Sequence, residues 1–404
     1  MARRSSEPPI SWLMRLALEK PGLISLAVGF TDNETLPVGE VAALAKKILS
    51  RRDTARAALQ YGTTAGLPDL RHELLKRWQR QDGTRPNKIS AEDVVVTNGS
   101  QQLLYLVSEV LCDPGDVVLV EDPTYFVYLG IVEAMGIRTA GFDGLESLKA
   151  RLQALKNARR MARVKMVYLV TYFQNPTGRT WSLEQKREAL AVLKHYERAA
   201  GHPIYILEDA AYRDLRFAGR DVPSFKSLDP RNERVAYTNT LTKPFATGLK
   251  LGYGILPPPL RRAVLRSKGN HDFGSSNFLQ TLLARALAGG QYDRHLPEIA
   301  AAYRRKRDAM VHALDGSFPR PARYQSPQGG LYVWVELDAG TKTGAGSRLF
   351  RRALNAGVLY VPGEMCYCAD PARKAPRHCM RLSFGAPTVA QIKKGIRLLA
   401  DALG

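Results

Sequence analysis

Cysteine is scarce in this sequence: Cys112, Cys366, Cys368 and Cys379 are four residues in 404. So few thiols in so long a chain exclude a disulfide framework. Long apolar runs are missing as well. A spanning helix needs roughly eighteen uninterrupted apolar residues, and the best stretch, Val117–Ile137, is broken by Glu121, Asp122 and Pro123. The leader MARRSSEPPISW is basic but has no apolar centre to act as a signal peptide, so a cytoplasmic location is expected. Acidic residues are the third deficit, with 38 Asp+Glu facing 59 Lys+Arg and a net charge of +21 at pH 7. Such a surplus fits a nucleic-acid binder, and equally an enzyme whose ligands carry phosphates and carboxylates. The basic residues are scattered, and Tyr and Phe do not interleave with them as stacking platforms. Nucleic acid is therefore not expected as a partner, and the charge reads as solvated surface with a field that favours small anions.

What is present is ordinary globular composition, 45% hydrophobic and 24% charged. Single cores stop growing at roughly 250–300 residues, so a large domain and a smaller one are expected. The middle of the chain alternates element types. Leu67–Gln81 has helical spacing, Val94–Thr97 reads as a buried strand, Gly99–Cys112 as helix and Val117–Val120 as strand. Tyr125–Ala134 (helix), Met166–Thr171 (strand), Ser182–Ala200 (helix) and Ile204–Glu208 (strand) follow, then short strands at Val235–Asn239 and Gly252–Leu256. Short apolar runs between longer helical periods predict an α/β fold with a mostly parallel sheet covered on both faces. From Leu260 long helices dominate; Pro297–Leu314 is the clearest, its proline suiting a first helical turn. Strands at Gly330–Val335 and Arg381–Phe384 and helices at Arg348–Asn355 and Val389–Leu403 predict a smaller α+β lobe. The predicted division is 1–50 as a segment packing with the small domain, 51–300 as the large domain and 301–404 as the small one.

Several short motifs sit where strands end. Thr97-Asn98-Gly99-Ser100-Gln101-Gln102 follows a strand and opens a helix, where unpaired N–H groups suit a phosphate; the plainer reading is a turn with an N-cap. Asp122-Pro123-Thr124-Tyr125 places an aromatic ring past a strand end, where ligands of open α/β sheets collect; a proline turn with a packed tyrosine is the alternative. Asn175-Pro176-Thr177-Gly178 is a turn led by an amide able to bond a phenolic oxygen. Asp209, in Glu208-Asp209-Ala210-Ala211-Tyr212, needs a cation in low dielectric. A protonated pyridine nitrogen is one such cation, and a helix N-cap role is the alternative. Thr240-Leu241-Thr242-Lys243 offers a lysine that desolvation would make nucleophilic, and Gly248-Leu249-Lys250-Leu251-Gly252-Tyr253 a second cation for a phosphate; for either lysine alone, solvated surface is the plainer reading. Arg381, among apolar neighbours in His378-Cys379-Met380-Arg381-Leu382-Ser383-Phe384, suits either a bidentate carboxylate or a structural ion pair.

Taken together, the order and spacing of these motifs resemble the fold-type I aminotransferases of class I/II, from about Leu23 to the C-terminus. Tyr172-Phe173-Gln174-Asn175-Pro176-Thr177-Gly178, Gly99-Ser100-Gln101-Gln102 and Ile24-Ser25-Leu26 leading to Gly29 and Leu36-Pro37 place the resemblance nearest the branch of 2-aminoadipate and aromatic aminotransferases. That branch also includes the aminotransferase-like domains of GntR-type regulators. The resemblance implies a three-layer large domain that binds pyridoxal 5′-phosphate (PLP), with a mostly parallel mixed sheet, plus the smaller α+β domain. It implies that Lys243 holds PLP as a Schiff base and shuttles the substrate proton. Asp209 would pair with the pyridine nitrogen, Asn175 and Tyr212 would bind the phenolic oxygen, and Tyr125 would stack on the ring. Ser100, Gln101, Thr240 and Lys250 would hold the phosphate, joined by Tyr61 from the partner of a homodimer. Arg381 would bind the substrate carboxylate, assisted by Asn175 and the backbone of Gly29. The implied reaction carries an amino group from an amino acid to a 2-oxo acid in a ping-pong cycle.

Departures from the pattern are specific. Lys250 stands where the family has arginine, which keeps the charge but loses the bidentate fork. Gly29-Phe30-Thr31 replaces Gly-x-Pro, and Gly363-Glu364-Met365-Cys366-Tyr367-Cys368 is unusual near the entrance. Cys366 and Cys368 lack the further ligands a metal site needs, so no metal is expected. An aromatic mouth of Trp12, Phe30 and Tyr367 is expected to admit varied side chains. Elimination or cyclisation on the same cofactor is the main alternative chemistry. A PLP-sensing regulator is a second, opposed by a leader before Leu23 too short to fold as a winged helix. A dead scaffold is opposed by the presence of Lys243 and Asp209.

Overall fold

Seven strands carry the site. The computed structural model describes residues 7–83, 88–371 and 373–404; residues 1–6, the first half of the basic leader, lie outside the described residues. After β1 (Ile24–Ser25) come β2 (Val94–Asn98), β3 (Val117–Glu121), β4 (Arg138–Phe142), β5 (Val164–Val170), β6 (Tyr205–Asp209), β7 (Val235–Thr240) and β8 (Leu251–Ile255). Strands β2 to β8 form one sheet in the order β2-β8-β7-β6-β5-β3-β4, in which only β8 runs against its neighbours. Both faces are covered, as continuous apolar runs require. On β3, Val118 and Val120 belong to one buried cluster while Val117 and Leu119 belong to the other, so the period of two is filled on both sides. The mostly parallel α/β sheet predicted from the alternation is present, and antiparallel β8 makes it the mixed sheet that the resemblance implies.

The remaining strands, β9 (Arg323–Tyr324), β10 (Tyr332–Glu336), β11 (Val358–Leu359), β12 (Val361–Pro362) and β13 (Cys379–Ser383), build a smaller layer. Its antiparallel sheet has the order β12-β13-β10-β9, and β1 pairs in parallel with β11. Ser383 N–H also donates to the Leu26 carbonyl at 2.7 Å, so the chain's first segment is stitched to its last.

Three readings of the sequence need correction. Helix Gln291–Ser317 begins six residues before Pro297, which lies inside it rather than in its first turn. An interior proline costs about 3 kcal/mol, and burial of Tyr292 and His295, which pack on Phe245, offsets that cost. Second, the leader does contain structure: Pro9–Glu19 is a helix with Leu13 fully buried and Trp12 stacked on Phe350. Third, β4 and helix Gly144–Asn157 were passed over; β4 starts with Arg138 and Thr139 and carries Gly141, so its apolar run is short.

Candidate active site

Strands β2, β3, β5, β6 and β7 point the same way, so their C-terminal ends deliver five of the motifs to one edge of the sheet. A cavity opens there, lined by Asn98, Gly99, Ser100, Gln101, Tyr125, Val170, Asn175, Asp209, Ala211, Tyr212, Thr240, Thr242, Lys243 and Lys250. Nine of the twelve residues proposed from the sequence are therefore side by side: Ser100, Gln101, Tyr125, Asn175, Asp209, Tyr212, Thr240, Lys243 and Lys250. Gly29 and Arg381 adjoin them through hydrogen bonds. Tyr61 stands apart, 84% exposed, its ring edge-on to Phe273 at 5.7 Å. The aromatic mouth is not assembled as expected. Trp12, Phe30 and Tyr367 do not line the cavity, because Trp12 stacks on Phe350, Tyr367 packs on Trp334 and Phe30 faces solvent.

At one end of the cavity lies the start of helix Gly99–Leu111. Its N-cap residue Asn98 makes no side-chain cap bond, because its amide donates to Asp272 instead. The first N–H groups of that helix are thus left for an anion. Gly252 explains the close fit beneath them, since a Cβ there would meet the Ser100 nitrogen at 2.4 Å. Lys250 reaches this end from a left-handed backbone (φ 51°), a conformation sparsely populated by lysine. Thr240 Oγ1 donates to Thr242 Oγ1 at 2.8 Å, which fixes the hydroxyl pair beside it.

Deeper in, Asp209 is buried with no cationic partner in the described structure. Its Oδ2 accepts from the Tyr168 hydroxyl at 3.0 Å and its Oδ1 from Ala211 N–H at 3.1 Å. Burial pushes this carboxyl up to about 6 against the pull of those two donors. Lys243 is the converse case: its amine donates to the Gly29 carbonyl at 2.7 Å and has no carboxylate beside it. Burial is the main cause of its lowered pKa, with the positive Arg381 and Lys250 adding to the effect.

Arg381, 1% exposed, donates from Nη1 to Asn175 Oδ1 at 2.8 Å and from Nη2 to the Ala27 carbonyl at 2.6 Å, while its Nε is buried without a partner. No ion pair to Arg381 occurs among the described residues, which decides against the structural-pair reading. Asn175 Nδ2 donates to the Tyr212 hydroxyl at 3.5 Å. The turn holding Asn175 is braced by Gln174, which donates to Glu121 at 2.7 Å and to the Pro123 carbonyl at 3.2 Å. Glu121 also accepts from Trp181, and burial pushes it up to about 7. The Cys366–Cys368 segment has a bracing role too: the Cys366 carbonyl accepts from Thr124 N–H and Cys368 N–H donates to Asp122, fixing the turn before Tyr125.

These residues fit PLP. A buried carboxylate without a cation suits a protonated ring nitrogen, a buried amine without an anion suits the aldehyde, and free N–H groups beside Lys250 suit the phosphate. The unpartnered Arg381 Nε suits a substrate carboxylate. Sequence reading missed Tyr168, which looked like one more apolar residue of β5, and Tyr332, whose hydroxyl lies 3.3 Å from that of Tyr212. Neither position carries a signal in spacing; only the three-dimensional register brings them in.

Comparison with known proteins agrees with this geometry. The aromatic-amino-acid aminotransferase 1 of Thermococcus litoralis is 33% identical, covering 96% of this chain and 89% of that protein. The multiple substrate aminotransferase of Thermococcus profundus superposes with a TM-score of 0.90 at 31% identity, covering 100% of this chain and 96% of that one. The kynurenine aminotransferase of Pyrococcus horikoshii, solved in complex with PMP, superposes with a TM-score of 0.89 at 32% identity, covering 100% and 95%. With residues 21–399 matching the pattern described as aminotransferase class I and II, the chain belongs to that PLP-dependent family.

Proposed function

We propose that the protein moves an amino group from an amino acid to a 2-oxo acid in a ping-pong cycle, with Lys243 as the covalent anchor of PLP. The observation that carries this reading is the set of mismatched charges in one cavity: Asp209 without a cation, and Lys243 and Arg381 without anions. PLP, once bound, supplies an electron sink for the pair released when the substrate's α-C–H bond breaks. The chain's own residues do the rest. Asp209 keeps the ring nitrogen protonated, and Asn175 and Tyr212 hold the phenolic oxygen. Tyr125 covers a ring face, and burial keeps its hydroxyl protonated. Ser100, Gln101, Thr240 and Lys250 hold the phosphate. Arg381 seats the α-carboxylate with Asn175 and the Gly29 backbone beside it, and the Lys243 amine carries the α-proton.

The site assignments have consequences beyond one chain. The exposed Tyr61, with Leu59 and Phe273 exposed beside it, supports a homodimer in which Tyr61 reaches the phosphate of the partner. Exposed apolar clusters of this kind mark interaction surfaces. The stitching of β1 and Leu26 to β11 and β13 supports grouping residues 1–50 with 301–404 as a small domain beside 51–300. No helix among the described residues is long and apolar enough to cross a membrane, and a cytoplasmic setting is proposed on the same footing as the dimer. The relatives named for aromatic amino acids, kynurenine and multiple substrates support a broad side-chain range.

Turnover tests the reaction class. Amino-acid consumption should depend on an added 2-oxo acid and produce its amino counterpart in equal amount. Sustained consumption without an oxo acid, with ammonia released, would instead indicate elimination. Replacing Arg381 by Lys should lower kcat/KM about 100-fold, since hydrogen bonds to a charged group contribute about 1.5–3 kcal/mol. Steady-state kinetics over a series of amino acids checks this, and a uniform loss across side chains is the expected result.

A further inference from the structure

Strand β10 brings Tyr332 into the site. In the antiparallel register Trp334 lies opposite Arg381 and Tyr332 opposite Ser383, so Tyr332 is the diagonal neighbour of Arg381 on the same face. Its ring centre stands 4.2 Å from the guanidinium carbon, with the Phe126 ring a second neighbour at 5.2 Å. Its hydroxyl lies 3.3 Å from that of Tyr212. The fit to the N-terminal segment is close, since a Cβ at Gly29 would fall 2.2 Å from the Tyr332 oxygen.

We propose that Tyr332 is a positioning residue with two separable duties: its hydroxyl aims the Tyr212 proton into the cavity, and its ring holds the Arg381 guanidinium ready for a carboxylate. The inference rests on the transaminase reading and extends it to a residue that the motif order does not mark.

Donor bookkeeping fixes the Arg381 end of this chain. Arginine only donates, so the Asn175 atom facing Arg381 Nη1 is its oxygen, and the amide nitrogen must face Tyr212 as a donor. Tyr332 has one hydroxyl proton, and the Tyr212 oxygen is its hydrogen-bond partner. Either hydroxyl can donate across the Tyr332–Tyr212 contact; with Tyr332 as the proposed donor there and Asn175 donating as well, Tyr212 keeps its own proton free to point into the cavity it lines. Burial, with Tyr332 and Tyr125 alongside, holds the Tyr212 phenol far above its ordinary range, so it stays a donor at neutral pH. The ring duty follows from what Arg381 lacks: with no carboxylate partner, an aromatic face is what stabilises the desolvated cation.

Two variants of the PLP-loaded protein separate the duties. Tyr332→Phe keeps the ring and removes the hydroxyl, whereas Tyr332→Leu removes both. The readouts are the pH midpoint of the cofactor's visible band, kcat, and the Kd of an unreactive carboxylate such as 3-phenylpropionate, followed by perturbation of that band. Losing a directed donor should raise the band midpoint by about half to one pH unit and lower kcat about 3- to 10-fold in both variants. The carboxylate Kd should stay at the wild-type value in Tyr332→Phe and weaken about 30-fold in Tyr332→Leu. A Tyr332→Phe protein with wild-type midpoint and kcat overturns the hydroxyl duty, and equal Kd in the two variants overturns the ring duty. Failure of the wild-type protein to show any PLP band would strike the transaminase reading itself, a separate and recognisable result.

Discussion

Truncating Lys243 to alanine should reduce amino transfer by about 10⁴-fold while leaving the protein folded. The amine is the one nucleophile among the cavity-lining residues that burial holds below its ordinary pKa with no carboxylate to recharge it. It is therefore both the anchor for an aldehyde and the base for the α-proton. A positioned acid–base group alone contributes about 10²–10⁴-fold, and loss of covalent attachment adds to that. Stability should change little, because the contact given up is one hydrogen bond to the Gly29 carbonyl, a net contribution of about 1 kcal/mol. Single-turnover kinetics beside a thermal melt separates the two effects. A variant that keeps a tenth of wild-type activity would place the base elsewhere.

Asp209→Asn is expected to make the cofactor-free protein more stable at pH 7.5 and the enzyme far worse. In the fold this carboxyl sits at about 6 rather than 3.8, so the folded state prefers the protonated form. Stability from this group is complete below about pH 4 and is lost as pH rises through about 6. Above that the ionised carboxylate costs about 3 kcal/mol, at 1.36 kcal/mol per pH unit. Asparagine avoids this cost and keeps both hydrogen bonds, its oxygen accepting from Ala211 N–H and its amide donating to the Tyr168 oxygen, which can accept as well as donate. The gain is about 3 kcal/mol at pH 7.5, and it should shrink to nearly nothing near pH 4. Denaturant melts of both cofactor-free proteins at the two pH values check this convergence. With PLP present the sign inverts, since the carboxylate then has a cation to pair with. Breaking such a buried pair costs about 3–5 kcal/mol, so kcat should fall about 10²–10³-fold. Parallel melts at both pH values would mean that Asp209 is not the strained group it is taken to be.

Much of the site was legible in the sequence because strand ends are legible. A run such as Val117–Val120 or Ile204–Glu208 fixes where a parallel strand stops, and polar residues just beyond it are conspicuous. Asp209, Asn175, Tyr125 and Thr240 were found that way. Tyr168 and Tyr332 were not, because a tyrosine inside an apolar strand looks like core until the register shows which hydroxyl it meets. The aromatic mouth failed for a related reason. Trp12 belongs to a helix that packs on Phe350, and nothing in the leader's composition announced that helix. Pro297 misled through a rule that holds for isolated helices, whereas here buried side chains on both sides carry the helix past it.

Reduction of the PLP-loaded protein with borohydride, followed by peptide mass mapping, tests the central claim most directly. The account predicts one phosphopyridoxyl group per chain, on Lys243 and not on Lys250, although both line the cavity. Label on Lys250, or on surface lysines in proportion to their exposure, would contradict it.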